Sequence, residues 1–194
     1  MGSYYSTGIL NFVRTVFELY VALLLVRLLL DWFGGKLFNP IYRFIYKFTQ
    51  PPIGIVQKIL PKRGNFNWAC LILVFAFELI QIIVLFYFTM NHLPDFIGLL
   101  IWAFADILSL IKNIFFWGII VFAVLSWLSA INRNYNPLQE IIGILVAPLL
   151  RPIQKILPTL GGFDLSPIVA FLGLQVINFL IIVPLLSLGQ GLAL

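Results

Sequence analysis

Four stretches of this 194-residue chain, Ile9–Phe33, Trp68–Met90, Phe104–Ala130 and Pro167–Leu188, are each about as long and apolar as a membrane crossing requires. Crossing about 30 Å of hydrocarbon takes about 20 apolar residues in a helix. Lipid is the expected solvent, because hydrophobic residues make up 62% of the chain and charged residues 10%. A soluble domain carries about 45–50% and about 25%, and a disordered chain is polar. The expected fold is all-α: a polytopic membrane protein with four transmembrane helices. No charged leader with a small-residue cleavage site opens the chain, so the first stretch is expected to remain as a span. Asp95–Ala103, an apolar extension before the third stretch, reads as interfacial or as helix overhang, because no turn signal separates it from that stretch.

Charge then sets an expected orientation. The loop Gly34–Asn67 holds Lys36, Arg43, Lys47, Lys58, Lys62 and Arg63 and no acidic residue. The loop Ile131–Ser166 holds Arg133, Arg151 and Lys155, with Glu140 and Asp164. The connection Asn91–Asp95 has no Lys or Arg, nor do the residues before Ile9 or after Leu188. The positive-inside rule places both long loops in the cytoplasm and both termini outside.

Both loops read as ordered. Asn39-Pro40 and Asn136-Pro137 each pair an N-cap residue with a proline suited to the first helical position. Pro51 and Pro148 are expected to interrupt the helices begun there, and a second short segment ends at Pro61 and Pro158. Apolar faces with basic residues between them suggest helices lying in the membrane interface. The second, IIGILVAPLL, is apolar enough for shallow re-entrance as an alternative. Gly161-Gly162 permits a tight turn, after which Asp164 or Ser166 is expected to cap the last span, with Pro167 in its first position.

The loops are copies of each other. QKILP occurs at Gln57–Pro61 and at Gln154–Pro158. An offset of 97 residues takes Asn39 to Asn136, Pro51 to Pro148 and Asn67 to Asp164; upstream, an offset of 95 takes Trp32 to Trp127. The chain reads as two units, residues 1–92 and 93–194, each a span, an interfacial loop and a span. Each unit crosses an even number of times, so the copies run parallel about a pseudo-twofold axis along the membrane normal. The pattern W…NP…P…(Q/R)KILP…GG.D.SP resembles the YggT family over nearly the whole chain. Trp127, Asn136, Pro137, Pro148, Arg151, Lys155, Pro158, Gly161, Gly162, Asp164, Ser166 and Pro167 carry it in the second copy. Glu18–Tyr20 and Arg27 are also similar. The first copy departs, with Gly54-Ile55 for Arg-Pro and Asn65, Asn67, Ala69 and Cys70 at the Gly, Asp and Ser-Pro positions. The resemblance implies a bacterial inner-membrane protein associated with osmotic tolerance in enterobacteria. Its relatives in Gram-positive bacteria and plastids are linked to division, nucleoid or membrane-complex organisation, including assembly of a haem-bearing photosynthetic cytochrome.

Polar residues inside spans invite a functional reading. Glu78 maps to Gln175, Gln81 to Asn178 and Glu18 to Asn113. Glu78 and Gln175 lie about 15 Å from the loop ends at about 1.5 Å per residue. One reading is interhelical hydrogen bonding, worth about 0.6 kcal/mol per bond. The other is a polar site on the pseudo-axis that takes a proton or small cation, with Glu78 as the titrating group. Arg14–Glu18 and Arg27–Asp31 are spaced to pair along the first span, and Arg27 and Asp31 are near enough to its end to snorkel. Lys58, Arg63, Arg151 and Lys155 are candidate contacts for anionic headgroups or a partner, against a plain anchoring role.

Cys70 sits in an apolar run and reads as a buried thiol; His92 reads as a loop residue. A metal or haem ligand at His92 is the alternative, set against the lack of a second ligand type nearby, and no metal or cofactor site is expected; no nucleotide-binding, zinc-protease or serine-hydrolase motif occurs. The expectation is a non-enzyme that binds no nucleic acid. Its role is a membrane scaffold or assembly factor, with a membrane partner or a second copy of itself. The alternative is a small channel or transporter for a cation or osmolyte.

Overall fold

The computed structural model describes residues 2–60, 66–131, 136–156 and 165–194, and every regular element among them is a helix. In chain order these are α1 (Gly2–Phe33), α2 (Pro40–Gln57), α3 (Trp68–Met90), α4 (Phe96–Ile131), α5 (Pro137–Ile156), α6 (Ser166–Ile177) and α7 (Val183–Ala193). A π-helical turn, Asn178–Ile182, joins α6 to α7. Among the described residues, four helical stretches are long and apolar enough to cross a membrane: Gly8–Phe33, Trp68–Met90, Phe96–Ser126 and Ser166–Ala193. The protein is an all-α polytopic membrane protein.

α1 pairs with α3, α4 pairs with α7, and α3 packs on α4 between the two pairs. One apolar core links Val21, Leu24 and Leu25 of α1 with Ile53 of α2, Val74 of α3 and Ile107 of α4. A second links Ile119 of α4 with Val146 and Leu150 of α5 and Ala170 and Leu174 of α6. α2 and α5 meet at the same end of the bundle, where Tyr42, Ile45, Ile141 and Leu145 pack with Leu29 and Leu30.

The apolar extension before the third stretch is continuous with it from Phe96 onward, with no turn between them. α4 runs unbroken for 36 residues, about 54 Å at 1.5 Å per residue, well beyond the about 30 Å of hydrocarbon. Small residues hold the first turns of α4 against α7. A Cβ on Gly98 would stand 2.3 Å from the Ala193 nitrogen, and one on Gly189 would stand 2.5 Å from the Trp102 nitrogen. The Asp95 N–H donates to the Ala193 carbonyl at 3.2 Å. Glycine faces let helix backbones touch in this way.

The loop prolines do not interrupt their helices. Pro51 and Pro52 lie within α2, and Pro148 and Pro152 within α5. A proline removes one donor and crowds the preceding turn. Pro51, Pro148 and Pro152 are exposed, where water or headgroups can satisfy the carbonyls they free, and each helix continues through them. In the last span the consequence is different. Pro184 comes just after the π turn, in which the Val183 N–H reaches back to the Asn178 carbonyl, five residues earlier. The register slips by one residue just before the proline, as at other π-bulges. That span opens at Ser166 with Leu165 in the N-cap position, so Pro167 is its second helical residue.

Candidate functional site

Polar side chains gather at both ends of the bundle. At the loop end, Arg27 and Asp31 form an ion pair, Nε to Oδ1 at 3.1 Å, with side chains 4% and 3% exposed. The snorkelling expected for them does not occur, because α2 closes over the end of α1. Asp31 Oδ1 also accepts from the Tyr42 hydroxyl, and its Oδ2 accepts from Asn67 Nδ2 at 3.1 Å. Burial, and after it the bond to Asp31, pushes the Tyr42 phenol above its ordinary pKa, so it remains a protonated donor. The Arg27 guanidinium stacks on the Tyr46 ring at 3.9 Å and approaches Thr49 Oγ1 at 3.5 Å. One carboxylate thus ties α1, α2 and the cap of α3 together.

Asn39 ties the two loop helices to each other. Its Oδ1 caps α2, accepting from the Ile41 and Tyr42 amides at 3.0 and 3.4 Å. Its Nδ2 donates to the Pro137 carbonyl and to Glu140 Oε2, both at 2.8 Å, at the start of α5. Asn136 caps α5 in the same way, accepting from Leu138 at 3.0 Å and Gln139 at 3.4 Å. Losing a cap costs about 1 kcal/mol. Asn39→Ala also removes the hydrogen bonds to the half-buried Pro137 carbonyl and Glu140 carboxylate on α5, at about 1 kcal/mol more. Unfolding in mixed micelles is therefore expected to show a larger loss for Asn39→Ala than for Asn136→Ala; equal losses would mean that Asn39 does not cross-link the loop helices.

At the opposite end, a cavity of about 380 Å³ opens between α3, α4 and α7. Arg14, Gln81, Thr89, Asp106 and Gln190 supply polar lining, and Phe86 and Trp102 supply aromatic walls. Gln81 is 4% exposed, and its Oε1 has no hydrogen-bond partner among the described residues. One turn below on α3, Glu78 is 1% exposed and its Oε2 is likewise unpartnered. The charged groups whose fields reach Glu78 are Asp106, Glu18 and Arg14. Arg14 is engaged with Glu18, Nε to Oε1 at 2.7 Å.

The six intramembrane polar residues singled out from sequence are thus placed unequally. Glu78 and Gln81 are buried, and Glu18 acts on Glu78 through its field. Asn113 and Asn178 are half-buried, and Gln175 is exposed. Lys58, Arg151 and Lys155 are exposed on or beside the loop helices. Arg63, Pro61, Pro158 and Asp164 lie outside the described residues. Cys70 is buried, its thiol directed to the Leu24 carbonyl at 3.3 Å. His92 is exposed after α3. Sequence reasoning missed Tyr42, Thr49 and Asn67 as partners of Arg27 and Asp31, and Trp102 and Asp106 as walls of the cavity.

The CCB3/YggT family profile matches residues 6–88 and 101–185, both halves of the helical pattern just described. The chain belongs to the CCB3/YggT family. Its relatives include the "Uncharacterized protein YggT" of Escherichia coli, 37% identical over 169 residues, or 86% of this chain and 85% of that one. A Vibrio alginolyticus protein is 34% identical over 171 residues, 87% and 90% of the two chains. A Pseudomonas aeruginosa protein is 33% identical over 178 residues, 91% and 89%. The names of these family members state no activity. No solved structure matches the chain.

Proposed function

We propose that this CCB3/YggT protein is a non-catalytic scaffold or assembly factor of the bacterial inner membrane, serving membrane organisation and osmotic tolerance. Both loop helices face the cytoplasm in this reading, and both termini lie outside. The observation that carries it is the pairing of α2 with α5 through Asn39 at Pro137 and Glu140. A docking surface benefits from rigidity, because ordering costs are then met before a partner arrives. The outer face of α2 exposes Arg43, Phe44, Lys47 and Phe48, and α5 exposes Arg151 and Lys155. Bulky apolar groups among basic ones suit helices resting on an anionic leaflet. Photo-crosslinkers at Lys58 and Lys155 are expected to capture one and the same membrane partner in cells, with Glu substitutions at Arg43, Lys47 and Arg151 abolishing capture. Different proteins at the two positions, or capture indifferent to charge, would overturn the scaffold reading.

A second reading, a small conduit for a cation or osmolyte, is favoured by the cavity and the buried Glu78 behind it. Reconstituted vesicles are the test: flux that Glu78→Gln reduces supports a conduit. Absence of flux of any cation or osmolyte tried, or flux untouched by that substitution, removes it.

A further inference from the structure

We propose that the cavity between α3, α4 and α7 binds a small organic ammonium cation. The lining combines a carboxylate, Asp106, with the aromatic side chains Phe86 and Trp102, whose rings lie 6.3 Å apart at 78°. Aromatic faces attract cations through their quadrupoles, most strongly where water is displaced. Gln81 is buried, lines the same space and offers an amide oxygen that nothing in the described residues uses. An ammonium N–H, or the polarised methyl groups of a quaternary ammonium, is the complement of that oxygen. At about 380 Å³ the cavity falls in the range of small-molecule pockets, about 300–1,000 Å³.

The charge balance selects against the other ligand classes. Asp106 is the carboxylate of the lining, and the basic group there, Arg14, already donates its Nε to Glu18. An anion would meet that field unfavourably. A bare metal ion would need several oxygen ligands at close range. The described residues hold no group of three or more His, Cys, Asp or Glu side chains able to supply them. Apolar walls cannot replace a metal ion's hydration shell, whereas they match the carbon of an alkylammonium. Occupancy requires neither passage nor a protein partner, so the inference goes beyond both readings above.

The ammonium could come from a free solute or from the headgroup of phosphatidylethanolamine, and the same experiment separates the two. Radiolabelled choline is dialysed against the full-length protein in nanodiscs of phosphatidylglycerol. Saturable binding is expected, displaced by tetramethylammonium. The neutral isostere 3,3-dimethylbutan-1-ol is expected to compete at least tenfold less well, and potassium chloride at matched ionic strength not to compete. Asp106→Asn is expected to weaken choline binding at least tenfold, and the isostere comparison holds on the unmutated protein whatever that variant's folding. Adding phosphatidylethanolamine to the discs raises the apparent Kd if the headgroup is the natural occupant and leaves it unchanged if a solute is; both results keep the ammonium site. Equal competition by the neutral isostere, displacement by potassium, or no saturable binding in either lipid overturns it.

Discussion

Asp31→Ala is expected to destabilise the protein by about 3–5 kcal/mol, the typical cost of breaking a buried ion pair from one side. The substitution leaves the Arg27 guanidinium enclosed without its carboxylate, and it removes the acceptor of both Tyr42 and Asn67. Unfolding with rising dodecyl sulfate fraction in mixed micelles measures this directly. The second half of the chain suggests the compensating change. At the positions equivalent to Arg27, Tyr46 and Thr49 it carries Phe122, Gly143 and Val146. A Cβ on Gly143 would stand 3.2 Å from the Phe122 ring, so an aromatic side chain over a glycine fills the space that a guanidinium over a tyrosine fills in the first half. Transplanting that solution, Arg27→Phe with Tyr46→Gly and Thr49→Val, into Asp31→Ser is expected to be less destabilising than Asp31→Ala alone. A transplant worse than the single substitution would show that the two halves do not share one architecture at this corner.

Gly98→Ala and Gly189→Ala are expected to produce the second large effect, about 1–3 kcal/mol or more for each, by overpacking. The added carbon would meet main chain rather than a flexible side chain: the Ala193 backbone in one case and the Trp102 backbone in the other. α4 and α7 must then move apart, lengthening the Asp95–Ala193 hydrogen bond and reshaping the cavity that Trp102 borders. Gly173 and Gly191 lie in the same last span with open space around them. Gly173→Ala and Gly191→Ala are accordingly expected to stay within about 0.5 kcal/mol of the parent. The same micelle unfolding series checks all four, and an undiminished Gly98→Ala would mean that α4 and α7 are not in backbone contact.

Hydropathy made the spans legible. The second span is Trp68–Met90 by sequence and by structure, because nothing but hydrocarbon length and the polar flanks sets its ends. The loop helices were legible from Asn39-Pro40 and Asn136-Pro137, whose local chemistry starts a helix wherever it stands. Their continuation through Pro51 and Pro148 was not, since whether a proline ends a helix or bends it depends on where the freed carbonyl points. The Arg27–Asp31 pair was visible as an i, i+4 spacing. Its burial was hidden, because Tyr42 and Asn67 come from a helix and a cap elsewhere in the chain. A signal did exist: aligned across the two halves, Arg27, Tyr46 and Thr49 change together to Phe122, Gly143 and Val146, the mark of one packed site filled in two ways. Equivalence between copies was less informative for Glu78 and Gln175, one buried and one exposed, because α3 packs between α1 and α4 while α6 has packing partners on fewer sides. The cavity at the far end is built from α3, α4 and α7 at wide sequence separation, which no local pattern announces.

The proposed function requires α2 and α5 to rest together on one face of the bilayer. Single cysteines at Lys47 and at Arg151, each in a Cys70→Ala background, test it with a membrane-impermeant thiol reagent on sealed vesicles of both orientations. Both positions are expected to react in inverted vesicles and to be protected in right-side-out ones, while a cysteine at Thr89 shows the reverse. Reaction of the Lys47 and Arg151 positions from opposite sides would contradict that placement.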